Sequence, residues 1–137
     1  MKLRLLLAKD DKIIYEIPLL ADNWPKDSLE NELNALETEF DRFSGFFDAL
    51  SNRTRLLIMK RLFQNEDLTL GFADLMKDLD LNPKIVWEST RKLRKSGLLE
   101  KSENGKYRCS QTGQAEFLLV SLALRRLLQA LQELEEL

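Results

Sequence analysis

The chain has 137 residues, the size of a single domain with room for a small additional arm. Its composition, 32% charged and 44% apolar, is typical of globular proteins and excludes a chain that is disordered throughout. The net charge is only −2, and the single cysteine excludes an intramolecular disulfide.

The residue types that are missing exclude several kinds of site. With no histidine and one cysteine, the sequence lacks the ligands of a thiolate or imidazole metal site and the commonest general base. It also has no glycine-rich phosphate loop and no nucleophile motif. We therefore expect no bound metal, no cofactor and no enzymatic activity.

The N-terminal apolar run is interrupted by the charged residues 9–12, which makes it too short for a signal peptide. No segment is long and apolar enough to span a bilayer. We expect a cytoplasmic protein that has no membrane partner.

Two short apolar runs, residues 2–8 and 12–19, flank that charged turn and predict a β-hairpin that ends at Pro18. We treat residues 1–20 as an N-terminal arm. Because an isolated hairpin is marginally stable in water, the arm is expected either to pack on the helical body or to pair with a partner chain.

A helix is predicted from Asp27 or Ser28 to Leu50. Its apolar residues follow alternating four- and three-residue steps: Leu29, Leu33, Leu36, Phe40, Phe43, Phe47 and Leu50. This heptad pattern fits an amphipathic helix on its own domain and equally a helix–helix seam between subunits.

Helices are predicted next at residues 52–63, 72–79 and 83–96, with a turn at residues 80–82. Asn82 is a suitable N-cap, Pro83 suits the first helical position, and Gly97 suits a left-handed C-terminal stop. A helix, a short turn and a basic helix form a helix-turn-helix unit, in which the second helix enters the major groove of DNA.

The basic helix has two distinct stripes at helical spacing. Val86, Thr90, Leu93 and Gly97 form one that can face a core, and Lys84, Trp87, Arg91 and Lys95 form the other. After it, residues 98–101 and 106–109 predict a two-stranded hairpin, with positive φ at both Asn104 and Gly105 in a tight turn.

Charge is concentrated in this part of the chain. Residues 81–108 hold eight lysine or arginine residues and three glutamates, a net charge of +5, so the remainder of the chain carries −7. A solvated helix usually interleaves charges of both signs, whereas a cationic face on an acidic protein is typical of a surface that binds a polyanion. We favour contact with nucleic acid.

Trp87, the cations of the wing and Cys109 each have two possible roles. Trp87 is either a core anchor or part of the basic face, and the wing lysines and Arg108 either solubilise a sheet edge or bind phosphate. Cys109 is expected to be a small buried residue rather than a redox sensor, because there is no second thiol.

The C-terminal segment, residues 111–137, predicts one helix that begins after a Ser110 cap and is apolar on more than one side. Its heptad positions are Phe117, Val120, Leu124, Leu127, Leu131 and Leu134. A small domain covers one face of such a helix, so we expect the other to form a homodimer interface together with Leu29, Leu33, Leu36 and Phe40.

Residues 46–117 resemble the winged helix-turn-helix regulators of the ArsR type, especially archaeal ones. The matching motifs are Ala49-Leu50-Ser51 with Arg55, Leu81-Asn82-Pro83, Leu93, Gly97-Leu98, Lys101, Gly105-Lys106-Tyr107 and Thr112 with Gly113. The sequence departs at Ser89-Thr90, where the family usually has His-Leu. It also has Leu70-Gly71-Phe72-Ala73 where metal-sensing members carry paired cysteines, so we expect no metal sensing through Cys or His.

The predicted fold is mainly α with small β: a winged helix-turn-helix domain at residues 27–110, an N-terminal β-hairpin, and long N- and C-terminal helices. The predicted function is sequence-specific binding of double-stranded DNA by a homodimeric transcriptional regulator. The alternative is a winged-helix module that assembles with proteins. The predicted DNA-binding residues are Asn82, Lys84, Trp87, Glu88, Arg91, Lys92, Lys95, Lys101, Asn104, Lys106 and Arg108.

Overall fold

A computed structural model of the chain describes residues 1–135. Glu136 and Leu137, the end of the predicted C-terminal segment, lie outside the described residues. The chain forms two compact units, Met1–Phe43 and Ser44–Leu137, and is mostly helical with two small sheets. The predicted fold class is confirmed. No helix within residues 1–135 is long and apolar enough to cross a membrane.

The first unit begins with the predicted hairpin. Strand β1 (Arg4–Lys9) pairs antiparallel with β2 (Lys12–Pro18) through a turn at Asp10 and Asp11, whose φ angles are 48° and 66°. Aspartate tolerates this left-handed conformation, which matches the twist of a two-residue hairpin. Past β2, the Trp24 indole nitrogen donates to the Pro18 carbonyl at 2.8 Å.

The helix predicted from residue 27 to Leu50 is in fact two helices, α1 (Lys26–Thr38) and α2 (Phe40–Leu50). Helix α1 ends at Thr38, whose hydroxyl donates to the Asn34 carbonyl at 3.1 Å, a side-chain bond that often bends helices. The heptad pattern did not reveal this break because it records only apolar spacing. Most of the pattern lies exposed: Leu33, Leu36, Phe40, Phe43 and Phe47.

In the second unit, α3 (Arg53–Phe63), α4 (Phe72–Leu79) and α5 (Pro83–Lys95) surround a core that includes Ile58, Met59, Leu62, Leu75, Val86, Leu93 and Leu98. Buried Arg55 donates to the carbonyls of Ala49 at 2.7 Å and Asp48 at 2.8 Å. These carbonyls belong to the last turn of α2, where they have no intrahelical partner. Arg55 therefore fixes the end of α2 against α3.

A three-stranded sheet completes this unit, with β3 (Thr69–Leu70), β5 (Tyr107–Arg108) and β4 (Glu100–Lys101) in that order. Strand β3 was not predicted, because two residues carry no detectable alternation. The predicted tight turn is wrong: only Gly105 has a positive φ, of 81°. The amide of Gly105 donates to the Ser102 carbonyl at 3.0 Å, so the loop is a longer turn in which glycine alone takes the left-handed position.

The C-terminal helix is interrupted as well. It consists of α6 (Gln111–Leu118), a π-helical turn (Leu119–Ala123) and α7 (Leu124–Glu135). The Leu124 amide donates to the Leu119 carbonyl five residues back, and the Ser121 hydroxyl donates to the Phe117 carbonyl. A π turn accommodates about one extra residue, so the apolar stripe is rotated between α6 and α7.

The predicted interface is corrected at its first residue, Phe117, which lies before the π turn. Phe117 is 6% exposed and lies in the core of its own unit, with its ring centroid 5.2 Å from that of Phe63. By contrast Leu124, Leu131 and Leu134 on α7 are exposed. The predicted seam therefore loses Phe117 to the core.

Alanine substitutions at Gly113 and Gly45 are expected to change the stability in opposite directions. A Cβ at Gly113 would lie 3.0 Å from the Leu98 carbonyl and 3.1 Å from the Cys109 sulfur, whereas a Cβ at Gly45 meets nothing within 4 Å. We expect Gly113→Ala to lower the free energy of unfolding by about 1–3 kcal/mol. Gly45→Ala, inside the exposed part of α2, should raise it by about 0.5–1 kcal/mol. Urea unfolding monitored by circular dichroism measures both, and a Gly113→Ala protein as stable as the wild type would contradict the close approach.

Candidate nucleic-acid interface

Helix α5 is held in a fixed orientation by both of its ends and by its buried side. The Asn82 side chain accepts from the Ile85 amide at 2.9 Å, and Gly97 has a φ of 88°, as the cap and stop residues predict. Val86, Ser89, Thr90 and Leu93 are buried. The stripe predicted to face the core does so, apart from Gly97, which is exposed in the loop beyond the helix.

The small polar pair at Ser89 and Thr90 has a clear structural role. The Thr90 hydroxyl donates to the Val86 carbonyl at 2.7 Å and lies 3.3 Å from the Tyr107 hydroxyl. Tyr107 is 3% exposed, so this contact between two buried hydroxyl groups fastens the wing strand β5 to α5. A bulkier side chain at position 90 would occupy the space of that contact.

The opposite side of α5 and the wing present the predicted DNA-binding residues to solvent. All eleven are exposed: Asn82, Lys84, Trp87, Glu88, Arg91, Lys92, Lys95, Lys101, Asn104, Lys106 and Arg108. On the wing, alternation along β5 places Tyr107 in the core and Lys106 and Arg108 outside, as predicted.

Helix and wing meet in an open cleft with a strongly cationic lining. Arg91, Arg94 and Lys95 line it from α5, and Leu99, Glu100 and Lys101 line it from the start of the wing. Four cations and one carboxylate in one cleft attract an anionic chain such as a phosphate backbone. Arg94 was not among the predicted residues because it lies off the helical stripe of Lys84, Arg91 and Lys95, although the basic run that contains it was recognised.

Two of the predicted cations are paired with carboxylates. The Lys92 ammonium lies 3.7 Å from an Asp48 carboxylate oxygen, and the Arg108 guanidinium donates to Glu100 at 2.8 Å. All four side chains are about half exposed, and exposed pairs contribute little free energy. A phosphate can therefore replace either carboxylate at small cost.

Trp87 is the exception on this charged face. Its side chain is 55% exposed, so it is not a core anchor. The Arg91 guanidinium carbon lies 5.4 Å from the centroid of the indole ring, within the range of a cation–π contact. One turn of α5 therefore presents a flat apolar ring together with a guanidinium group that the ring holds in place.

Cys109 is buried behind the wing, as expected for a small core residue. Its thiol donates to the Leu98 carbonyl at 3.3 Å. Burial, together with the nearby carboxylates of Glu100 and Glu116, raises the pKa of the Cys109 thiol to about 11. The thiol is therefore protonated at neutral pH. No group of three or more His, Cys, Asp or Glu side chains suited to a metal ion occurs within residues 1–135.

Comparison with known proteins finds a match for the segment that carries α5 and the first strand of the wing. Residues 52–101, from α3 to β4, match the family model described as bacterial regulatory protein, arsR family. The resemblance found in the sequence is thereby confirmed. No curated protein shows significant sequence similarity to the chain.

The solved structures that resemble the chain include two transcriptional regulators. One, an ArsR family transcriptional regulator, is 20% identical, with a TM-score of 0.48 over 70% of this chain and 92% of its own. The other, a MarR family transcriptional regulator from Streptomyces coelicolor, is 16% identical, with a TM-score of 0.49 over 82% of this chain and 80% of its own. The resemblance to the arsR family rests on the match of residues 52–101 to the sequence model.

Proposed function

We propose that this chain, whose residues 52–101 have the sequence pattern of the arsR family of regulators, is a transcriptional regulator that binds double-stranded DNA sequence-specifically as a homodimer. The observation that carries the proposal is the cationic cleft between α5 and the wing. The cleft lies between α5, which is capped and exposed along its basic side, and the start of the wing. This pairing suits a helix in the major groove and a wing on the adjacent backbone.

The side chains divide between two tasks. Lys84, Trp87, Glu88 and Arg91 lie in the first three turns of α5, and the N-terminal part of a recognition helix is the part that reaches base edges. Lys95 and Lys101, at the cleft, and Lys106 and Arg108, on the wing, would bind phosphates. Asn82, Lys92 and Asn104 lie at the margins of the same surface, where a phosphate or sugar contact is the expected role.

Dimerisation is supported by exposed apolar side chains on two segments. Leu33, Leu36 and Phe40 are 49–61% exposed, and Leu124, Leu131 and Leu134 are 38–42% exposed. Leu29, Val120 and Leu127, the remaining predicted interface residues, are half-buried. Exposed apolar side chains in such numbers, within each of the two segments taken by itself, mark an association site. We propose that they pair with a second copy of this chain.

We predict that the regulator does not respond to metal ions through thiolate chemistry. Micromolar zinc or arsenite should leave its DNA affinity unchanged, because the buried Cys109 thiol is protonated and no group of three or more possible metal ligands occurs in residues 1–135. Fluorescence anisotropy with labelled duplex measures the effect. A metal-dependent shift in affinity that disappears in Cys109→Ser would contradict the prediction.

The function is tested by selecting binding sites from a pool of random duplexes. We expect enrichment of an inverted repeat, because two-fold symmetry in the protein is mirrored in its site. Recovery of a single motif without repeat symmetry would contradict the proposed dimer but would still support sequence-specific DNA binding. Absence of any enriched sequence, and of binding at low salt, would favour the alternative of a winged-helix module that assembles with proteins.

A further inference from the structure

The apolar ring on the recognition helix indicates which chemical group the helix reads. Trp87 is 55% exposed on a side of α5 that is otherwise formed by Pro83 at the start of the helix and by charged residues. The other exposed large hydrophobic residue of α5, Ile85, lies on the opposite flank, because residues two apart on a helix point about 200° from each other. Trp87 therefore places an aromatic ring on the same flank of α5 as the cations Arg91 and Arg94.

Major-groove chemistry leaves few partners for such a ring. Base edges in that groove present hydrogen-bond donors, hydrogen-bond acceptors and a single apolar group, the 5-methyl of thymine. The indole has one polar group, its Nε1–H donor, so the face of the ring placed against the polar edges would displace water from them without a matching contact. Against a methyl group it buries apolar surface on both partners.

The contact with Arg91 favours one orientation of the Trp87 ring. The Arg91 guanidinium lies over the indole at 5.4 Å, so the ring and the cation hold each other in one arrangement before DNA arrives. Preorganisation of this kind lowers the side-chain entropy lost on binding. We infer that Trp87 is a specificity-determining residue that reads a thymine 5-methyl group in the major groove, with Arg91 as its positioning residue. The inference rests on the proposed DNA-binding function.

The test uses two alternating duplexes, dA–dT and dA–dU, which differ in the major groove only by the methyl group. We expect the wild-type protein to bind the thymine duplex about fourfold more tightly for each methyl group that it buries. Trp87→Ala should bind both duplexes alike. Because Trp87 is half exposed and outside the core, the variant is expected to keep the wild-type melting temperature, which is measured alongside.

Lys84→Ala is the matched control on the same helix, since it removes a cation and no aromatic surface. It should weaken binding to both duplexes by the same factor and keep the preference for thymine. Equal binding of the two duplexes by the wild type would overturn the inference and leave the proposed function intact. A thymine preference that persists in Trp87→Ala would overturn it too, because the methyl group would then be read elsewhere. No binding to either duplex at low salt would overturn the proposed function itself.

Discussion

Replacing Leu124 and Leu131 together by aspartate is expected to convert the protein into a folded monomer that binds its DNA site orders of magnitude more weakly. Both leucines lie exposed on α7, so in a separate subunit each aspartate remains in water. Across a two-fold interface the same substitution would bury four like charges, which costs several kcal/mol. The DNA affinity falls because the second half-site contact loses its high effective concentration.

Light scattering and gel shifts on the double variant measure both effects. The matched control places two aspartates at Gln129 and Ala130, on the other side of α7, and should remain dimeric with unchanged DNA affinity. A wild type that is monomeric would contradict the homodimer itself, whereas a Leu124→Asp, Leu131→Asp variant that stays dimeric would remove α7 from the interface. The exposed side chains of α1 and α2 would then be the remaining candidates.

The second large effect is expected from the cleft. Replacing Lys95 and Lys101 by alanine removes two cations that line it from opposite sides, one on α5 and one on β4. If each binds a phosphate, the slope of log affinity against log salt should become less negative by about 1.8 per subunit. Affinity at 0.1 M salt should fall by roughly 60-fold or more. Since both side chains are exposed, we expect the stability to change by less than about 0.5 kcal/mol.

The control for net charge replaces Lys9 and Lys26 by alanine. These residues are exposed on β1 and α1, in the first unit, and their loss changes the net charge of the chain by the same amount. We expect a small loss of affinity from the weaker overall field and an unchanged slope. Equal slopes in the two double variants would mean that the cleft holds no phosphate.

The sequence predicted the parts of this surface that depend on local signals. Asn82, Pro83 and Gly97 mark the ends of α5 through cap chemistry, which acts within one turn of the helix. The buried stripe follows from helical spacing, and the exposure of Lys106 and Arg108 follows from alternation along a strand. Each of these signals is contained in a few neighbouring residues.

What the sequence did not reveal depends on contacts between distant residues. Strand β3 exists because it pairs with β5, almost forty residues later, and Phe117 is buried because it meets Phe63. The helix breaks after Thr38 and at the π turn of Leu119–Ala123 arise from side-chain or backbone hydrogen bonds within apolar patterns that look continuous. Trp87 could be assigned to neither core nor surface until the neighbours of α5 were in place.

The central claim, that α5 and the wing bind the backbone of double-stranded DNA, is tested most directly by the salt dependence of wild-type binding. Affinity for the selected duplex is measured by fluorescence anisotropy across a series of salt concentrations. With four phosphate-binding cations in each subunit of a dimer, the slope of log affinity against log salt is predicted to be about −7. A slope near zero, or no binding at the lowest salt, would contradict the claim.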